Sequence, residues 1–205
     1  MSAPDPENTH SSPAALPPIA KIATAIEDAE WLDAPAKFTG PIADAVSAGS
    51  FGRLLRGEPL GHAAHPMLTD LPIGFWTSAV SLDLCHGRRA RQEVMTLLAL
   101  GTASAVPTVL TGLAEWRTTK PPESRVGSVH AVANAVGAGC FVGAWCAHRS
   151  QRRGTALLLE AAGSAATSLA GLLGGHLATV RKIGTRDPAY ATDGIGPEIT
   201  RPGGH

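Results

Sequence analysis

Four long apolar stretches constrain this chain more than any other feature of its sequence. They cover residues 66–86, 94–115, 126–148 and 155–177. Each is about 20 residues long, the length that an α-helix needs to cross about 30 Å of hydrocarbon. The stretches are apolar around most of the helix, whereas a helix on the surface of a soluble bundle carries one charged face. They predict an all-α integral membrane protein, an antiparallel four-helix bundle, in preference to a soluble bundle.

The segments on either side of the spans differ in composition. Residues 1–18 are rich in Pro, Ser and Ala, and we expect them to be disordered because they offer little to bury. Residues 19–60 hold two helical patterns, 19–32 and 42–55, which suit either an amphipathic interfacial segment or a helical cap on the bundle. The four-span membrane domain is predicted at 61–180, and a flexible Gly/Pro-rich tail at 181–205.

Composition excludes several classes of protein. The formal net charge is +0, and no basic-aromatic pattern indicates nucleic-acid binding. Cys85, Cys140 and Cys146 lie in predicted spans without a CxxC pair, so we expect packing residues and no iron–sulfur ligands. The polar, Pro-rich start of the chain lacks the features of a secretory signal. No nucleophile stands with a base, so we expect no independent enzymatic activity.

Polar residues of the spans gather on one predicted side of the membrane. If successive spans alternate in direction, the starts of the first and third spans share a side with the ends of the second and fourth. The polar residues at or beside those ends are His62, His65, Asp70, Glu115, His130, Asn134 and His176. Since His130 and Asn134 are four residues apart, they share a helix face. The sequence therefore predicts one polar layer.

This layer has the chemistry of a cofactor site. Imidazoles and carboxylates bind zinc, copper, nickel or iron, and two imidazoles from different helices bind the iron of haem b. We predict His65, His130 and His176 as ligands, with His62, Asp70, Glu115 and Asn134 around them to fix the imidazole tautomers. A haem would need His65 as a ligand, or two diagonal helices, because close packing of the last two spans leaves no room between them. A hydrogen-bonded cap that binds nothing is the competing interpretation.

Small residues recur at every fourth position of the third and fourth spans. The two stripes are Ala131, Ala135, Gly139, Gly143 and Ala147, and Gly163, Thr167, Gly171 and Gly175. Because lipid gives helices no hydrophobic reason to associate, close approach through small residues matters. The stripes predict a tight antiparallel pair. They also leave open a structural or assembly subunit of a membrane complex with no bound cofactor.

Charged residues near the other ends of the spans have a structural interpretation. A carboxylate at mid-membrane costs on the order of 3 kcal/mol, so we expect Asp83 and Glu160 to pair with arginines of the adjacent loops. The candidates are Arg88, Arg89 and Arg152. His86 and His148 lie beside arginines and are predicted to be interface residues.

Several motifs, taken together, resemble one family. They are GHAAHPMLTDLPIGFWTSAVSLDL at 61–84, TGLAEW at 111–116, the His130–Asn134 pair and GGHL at 174–177. In this order they resemble the bacterial membrane family called domain of unknown function 2231, over roughly residues 40–185. The resemblance implies a four-span inner-membrane protein without an assigned activity. Some relatives are fused to a Rieske-type iron–sulfur domain, which is absent from this chain, so a redox role rests on analogy.

Three functional hypotheses follow. The first is a metal- or haem-binding module associated with electron transfer and a redox or respiratory membrane partner. The second is the structural or assembly subunit, and a homo-oligomer is compatible with both. The third, a small transporter that uses Asp83 and Glu160, is disfavoured because the span centres hold little that relays a proton. We expect the bacterial inner membrane, with both termini in the cytoplasm, although the basic residues do not decide the orientation.

Overall fold

A computed structural model of the chain describes residues 18–116 and 119–184. All regular elements in these two ranges are helices: α1 Pro18–Glu27, α2 Asp33–Val46, α3 Gly49–Leu55, α4 His65–His86, α5 Arg91–Trp116, α6 Pro121–Arg149 and α7 Arg153–Gly175. A π-helical turn, His176–Val180, continues α7. The predicted disordered N-terminus, up to residue 17, and the predicted tail from 185 onward lie outside the described residues.

Three helical stretches are long and apolar enough to cross a membrane: His65–Trp116, Pro121–Arg149 and Arg153–Val180. The first is 52 residues long and contains both α4 and α5, which a 3-10 turn joins at Gly87–Ala90. The all-helical membrane class is therefore confirmed, while four separate spans in an antiparallel bundle remain a prediction. Large apolar side chains point outward, among them Leu84 at 66% exposure and Leu158 at 74%, as expected where lipid is the solvent.

Two close helix pairs, α4–α5 and α6–α7, form the membrane domain. A Cβ placed on Gly101 of α5 would come within 2.5 Å of the Trp76 indole of α4, and one on Gly163 of α7 would lie 3.1 Å from the Phe141 ring of α6. The missing side chains therefore make room for the two rings. The pairs meet where Trp76 and Phe141 stack, with ring centroids 4.6 Å apart and planes inclined by 17°.

The packing of α6 against α7 is extensive, but only part of the predicted stripes contributes to it. Gly139, Gly171 and Gly175 face open space. Part of the contact passes instead through Gly137, where a Cβ would lie 2.6 Å from the Thr167 methyl. A four-residue repeat drifts around a helix of 3.6 residues per turn, so only part of a long stripe can face one neighbour.

The N-terminal helices form a cap on the membrane domain. Helix α1 packs on α6, and α2 packs on α5 and α6. The boundaries differ from those predicted, because α1 ends at Glu27 and α2 begins at Asp33 and continues through Pro41. Arg125 of α6 fixes the start of α2 by donating from Nε and Nη2 to the two carboxylate oxygens of Asp33, at 2.6 and 2.9 Å. Location of this cap in the membrane interface remains a prediction.

Candidate metal centre

The structure brings two of the predicted ligands, His65 and His130, close together. Their ring centroids are 6.1 Å apart and their planes are inclined by 78°. Nδ1 of His65 donates to the Thr108 carbonyl, and Nδ1 of His130 donates to the Ala170 carbonyl, both at 2.8 Å. Since a carbonyl only accepts, each neutral ring carries its proton on Nδ1 and keeps a lone pair on Nε2. This tautomer binds a metal ion through Nε2.

Asn134 lies next to the His130 imidazole. Its Nδ2 donates to Nε2 of that ring at 3.0 Å and to the His130 carbonyl at 3.1 Å. The described residues offer Nε2 of His65 no such donor. The two imidazoles therefore differ in how accessible their lone pairs are.

His176 makes its hydrogen bond to the N-terminal cap. Its Nε2 lies 2.7 Å from Oε1 of Glu27, a buried carboxylate that also accepts from Nε of Arg181 at 2.6 Å. The same carboxylate raises the pKa of the Arg181 guanidinium through this hydrogen bond. His176 thus holds α1 to the end of α7, and its role as a metal ligand remains a prediction.

The other residues of the predicted layer are dispersed. Glu115 is buried at the end of α5, whereas Asp70 and His62 are exposed. Nδ1 of His62 lies 3.1 Å from the carbonyl of its neighbour Ala63. The proposed supporting roles of these residues therefore remain predictions.

A second group of potential ligands lies at the opposite ends of the long helices. Asp83 lies in the last turn of α4, His148 in the last turn of α6, and Glu160 in the second turn of α7. One donor atom from each of these side chains lies within 4.8 Å of the others. Nε2 of His148 is 2.8 Å from Oε1 of Glu160 and 3.9 Å from Oδ2 of Asp83. All three side chains are at most 2% exposed, and we call them the acidic triad.

Two arginines frame the acidic triad. Arg153 donates from Nε to Oδ1 of Asp83 at 3.0 Å and from Nη2 to the Asp83 carbonyl at 2.8 Å. Arg91 donates from Nε to the His148 carbonyl at 2.7 Å. Each arginine starts the second helix of one pair and contacts the end of the first helix of the other pair. These contacts fix the backbone on which two of the triad side chains stand.

The acidic triad contains unsatisfied polar atoms. Oδ2 of Asp83 and Oε2 of Glu160 are buried without a hydrogen-bond partner. With a neutral imidazole, two carboxylates and one arginine leave one uncompensated negative charge. Burying such a charge is costly unless a proton or a cation joins it. The empty site therefore needs a further proton, whose place a cation could take.

The sequence pattern did not predict this site. We expected Asp83 and Glu160 to pair with loop arginines, but Arg153 of α7 contacts Asp83, and His148 contacts Glu160. We expected His148 at the membrane interface, but this side chain is buried. A signal was present, because the short loop between α6 and α7 places the end of one helix beside the start of the next.

Long apolar helices whose charged side chains are buried near the helix ends define this chain as an integral membrane protein. A family model described as "Predicted membrane protein (DUF2231)" matches residues 61–187. The match covers more than half of the chain, so the chain belongs to this family, and the resemblance seen in the sequence is confirmed. No curated protein and no solved structure matches the chain.

Proposed function

We propose that this membrane protein binds a divalent transition-metal ion at the acidic triad. One observation carries the proposal: three buried donor side chains from three helices converge within 4.8 Å, and two of their carboxylate oxygens have no hydrogen-bond partner. One imidazole and two carboxylates form a mixed nitrogen and oxygen donor set, which suits Zn²⁺, Mn²⁺ or Fe²⁺.

The charges of the site support a divalent cation. Arg153 already balances one carboxylate at 3.0 Å, so the ion would add two positive charges to a site that carries one negative charge. Oδ2 of Asp83 and Oε2 of Glu160 would accept the ion directly. The empty site is neutral when one further proton joins the triad, and the ion would displace that proton, so binding releases a proton and strengthens with pH. Nε2 of His148 would then face the ion, with the remaining imidazole proton on Nδ1.

The position of the triad suggests access from one membrane face. Asp83 and His148 lie within one turn of the ends of their helices, His86 and Arg149. We propose that the four helices α4 to α7 cross the bilayer in alternating directions, so that both connecting loops and the triad share one face. The two chain termini then share the other face, which we propose to be cytoplasmic in a bacterial inner membrane. A C-terminal reporter fusion tests this orientation.

Metal titration of the purified chain tests the proposal. The full chain in detergent micelles is stripped with a chelator and titrated with Zn²⁺ and Mn²⁺ by calorimetry in two buffers of different ionisation enthalpy. We expect one ion per chain with release of a proton, and a loss of about 100-fold in affinity in Glu160→Gln. Glu93 is an exposed carboxylate at the start of α5, which lies at the same end of the helices as the triad. Glu93→Gln is therefore the matched control. Binding that is absent, or unchanged in Glu160→Gln, would refute the proposal.

A structural or assembly role is the second candidate, and the open glycines favour it. Gly139, Gly171 and Gly175 face open space, and small residues of this kind let another helix approach closely. In this reading a proton neutralises the triad, and no ion binds. Gly171→Leu would then abolish complex formation with a partner membrane subunit or a second copy, while His130→Ala would leave it intact. The opposite pattern would exclude this role.

Electron transfer through haem is a third proposal, and the optical spectrum tests it. His65 and His130 stand on α4 and α6. These two helices do not form one of the two close pairs, and a haem between two imidazoles requires helices that are not closely packed against each other. A purified preparation without a Soret band, from cells supplied with iron, would exclude haem at this position.

A further inference from the structure

The two helix pairs repeat each other residue by residue. Three contacts between α4 and α6 join residues that are 65 positions apart: His65 with His130, Trp76 with Phe141, and Asp83 with His148. Because three contacts along the length of the helices share one spacing, α6 presents the same positions to α4 that α4 presents to α6.

The second helix of each pair follows a constant spacing as well. Its corresponding residues are 62 positions apart: Arg91 and Arg153, Gly101 and Gly163, Thr108 and Ala170, and Gly112 and Gly174. Each residue makes the same kind of contact as its counterpart in the other hairpin. Gly101 and Gly163 accommodate the stacked rings, Thr108 and Ala170 accept from the imidazoles, and the two arginines reach across to the other pair. The membrane domain is thus two copies of a helical hairpin around an approximate two-fold axis.

His65 and His130 form a matched pair across this axis. Glycine makes room for each ring: a Cβ on Gly112 would lie 2.9 Å from Cε1 of His65, and one on Gly174 would lie 3.0 Å from Cε1 of His130. The two nitrogens of an imidazole point in nearly opposite directions. Since each Nδ1 is bound to the second helix of its own hairpin, each Nε2 lone pair points away from that bond.

The ring-centre separation and the lack of charge limit the kind of ion that the pair could hold. Two imidazoles that bind one ion in line, with metal–nitrogen bonds of about 2 Å, would have ring centres about 6 Å apart; the observed separation is 6.1 Å. Neither ring accepts or donates a hydrogen bond to a carboxylate among the described residues. The cost of burying an ion rises with the square of its charge, so a neutral donor pair favours a monovalent cation. Copper is among the metals that imidazole suits, and Cu(I) is its monovalent state.

We infer that His65 and His130 form a second metal site, independent of the acidic triad, which holds one soft monovalent cation, Cu(I), between their two Nε2 atoms. The inference does not depend on the proposed function, because the two sites lie at opposite ends of the helices and share no residue. Asn134 acts as a gate in this site. Its Nδ2 must leave Nε2 of His130, 3.0 Å away, before that lone pair can reach the ion.

The two halves differ at the gate. Thr69 occupies the position in α4 that Asn134 occupies in α6, and its hydroxyl donates to the Pro66 carbonyl at 2.6 Å, so it leaves Nε2 of His65 accessible. The ion therefore meets His65 first, and His130 joins when Asn134 turns away. Removing the amide in Asn134→Ala should raise the affinity several-fold, which a purely structural asparagine would not do.

Competition with a chromophoric Cu(I) chelator tests the inference under anaerobic conditions. The full chain in micelles carries Glu160→Gln together with Cys85→Ser, Cys140→Ser and Cys146→Ser, so that neither the acidic triad nor the free thiols contribute. We expect one Cu(I) per chain, and a loss of about 100-fold in affinity in His65→Gln and in His130→Gln. His62→Gln, which changes an exposed imidazole three residues from His65, is the matched control and should bind as the parent does. X-ray absorption should show two nitrogen neighbours at about 2 Å.

The same variants distinguish a loss of Cu(I) binding from a loss of folding and from the binding of another ligand. In the chain with an intact triad, His65→Gln and His130→Gln should keep their helical circular dichroism, their thermal transition and any Zn²⁺ binding that the parent shows. Loss of Cu(I) binding alone then supports the inference. Cu(I) binding that survives both substitutions would overturn it. So would occupation of the pair by haem, seen as a Soret band that depends on both histidines, or by Zn²⁺ in preference to Cu(I).

Discussion

Three glycine-to-alanine substitutions should give a graded series of stabilities that the geometry fixes in advance. A Cβ on Gly101 would lie 2.5 Å from both Cδ1 and Nε1 of Trp76, whereas ordinary contacts begin at 3.4 Å. The indole must therefore move by roughly 1 Å, and Phe141, stacked on it at 4.6 Å, restricts that movement. Overpacking of this kind costs about 1–3 kcal/mol. The higher helix propensity of alanine relative to glycine offsets this cost by up to about 1 kcal/mol.

Gly163 and Gly171 are the comparison positions for the destabilisation expected of Gly101→Ala. At Gly163 the new Cβ would lie 3.1 Å from the Phe141 ring, which needs to yield only a few tenths of an ångström, and Gly171 faces open space. We expect Gly101→Ala to lower the free energy of unfolding by about 1–2 kcal/mol, Gly163→Ala to change it by less than about 1 kcal/mol, and Gly171→Ala to leave it unchanged or raise it.

Reversible unfolding in mixed micelles, followed by far-ultraviolet circular dichroism against the fraction of denaturing detergent, measures this series. The indole fluorescence of Gly101→Ala should also shift, because Trp76 loses part of its stacking. If Gly101→Ala were as stable as Gly171→Ala, the close contact between α4 and α5 would be wrong, and so would the equivalence of the two hairpins.

Three further substitutions test contacts outside that series. Arg153→Met removes both hydrogen bonds to the buried aspartate at the end of α4 and should destabilise the protein by about 1–3 kcal/mol in the same unfolding assay, whereas Arg152→Met, with an exposed side chain, should not. Glu27→Gln should release α1 and accelerate proteolysis of the N-terminal cap, with the exposed Glu30→Gln as its control. Two arginines hold the pKa of Glu58 below its ordinary value, so their contact stabilises the α3–α4 junction above the ordinary pKa and is lost as the pH falls through the lower folded pKa. Glu58→Gln should abolish this acid dependence of amide exchange at residues 56–64.

The spans were predictable because their lengths and apolarity are local properties of the sequence. Helices α4, α5, α6 and α7 begin and end within five residues of the predicted spans. The join between the first two was less evident, since the structure runs them as one apolar stretch through a tight 3-10 turn. The cap was harder, because Pro41 suggests a break that the packing of α2 overrides.

Prediction of the two sites depended on the rotation of each helix about its axis, which a sequence indicates only weakly. Alternating threading brings His65 and His130 to the same end, but it does not say that His176 faces α1 instead of them. The acidic triad was missed for the same reason, because three residues from three helices converge only after each helix is rotated about its axis. The two-fold relation was hidden because few of the corresponding residues are identical. It becomes visible when contacts are compared, as with Asp83 and His148.

The exchange of arginines between the hairpins has a consequence for synthesis. Asp83 is synthesised with α4, but the guanidinium that neutralises it stands 70 residues later in the chain. At translation rates of about 5–20 residues per second, Arg153 follows this carboxylate by roughly 4–14 s. We expect the nascent first hairpin to stay beside the insertion machinery until α7 emerges. Chains truncated before Arg153 should therefore be cleared by membrane proteases, although their two leading helices are apolar enough to insert.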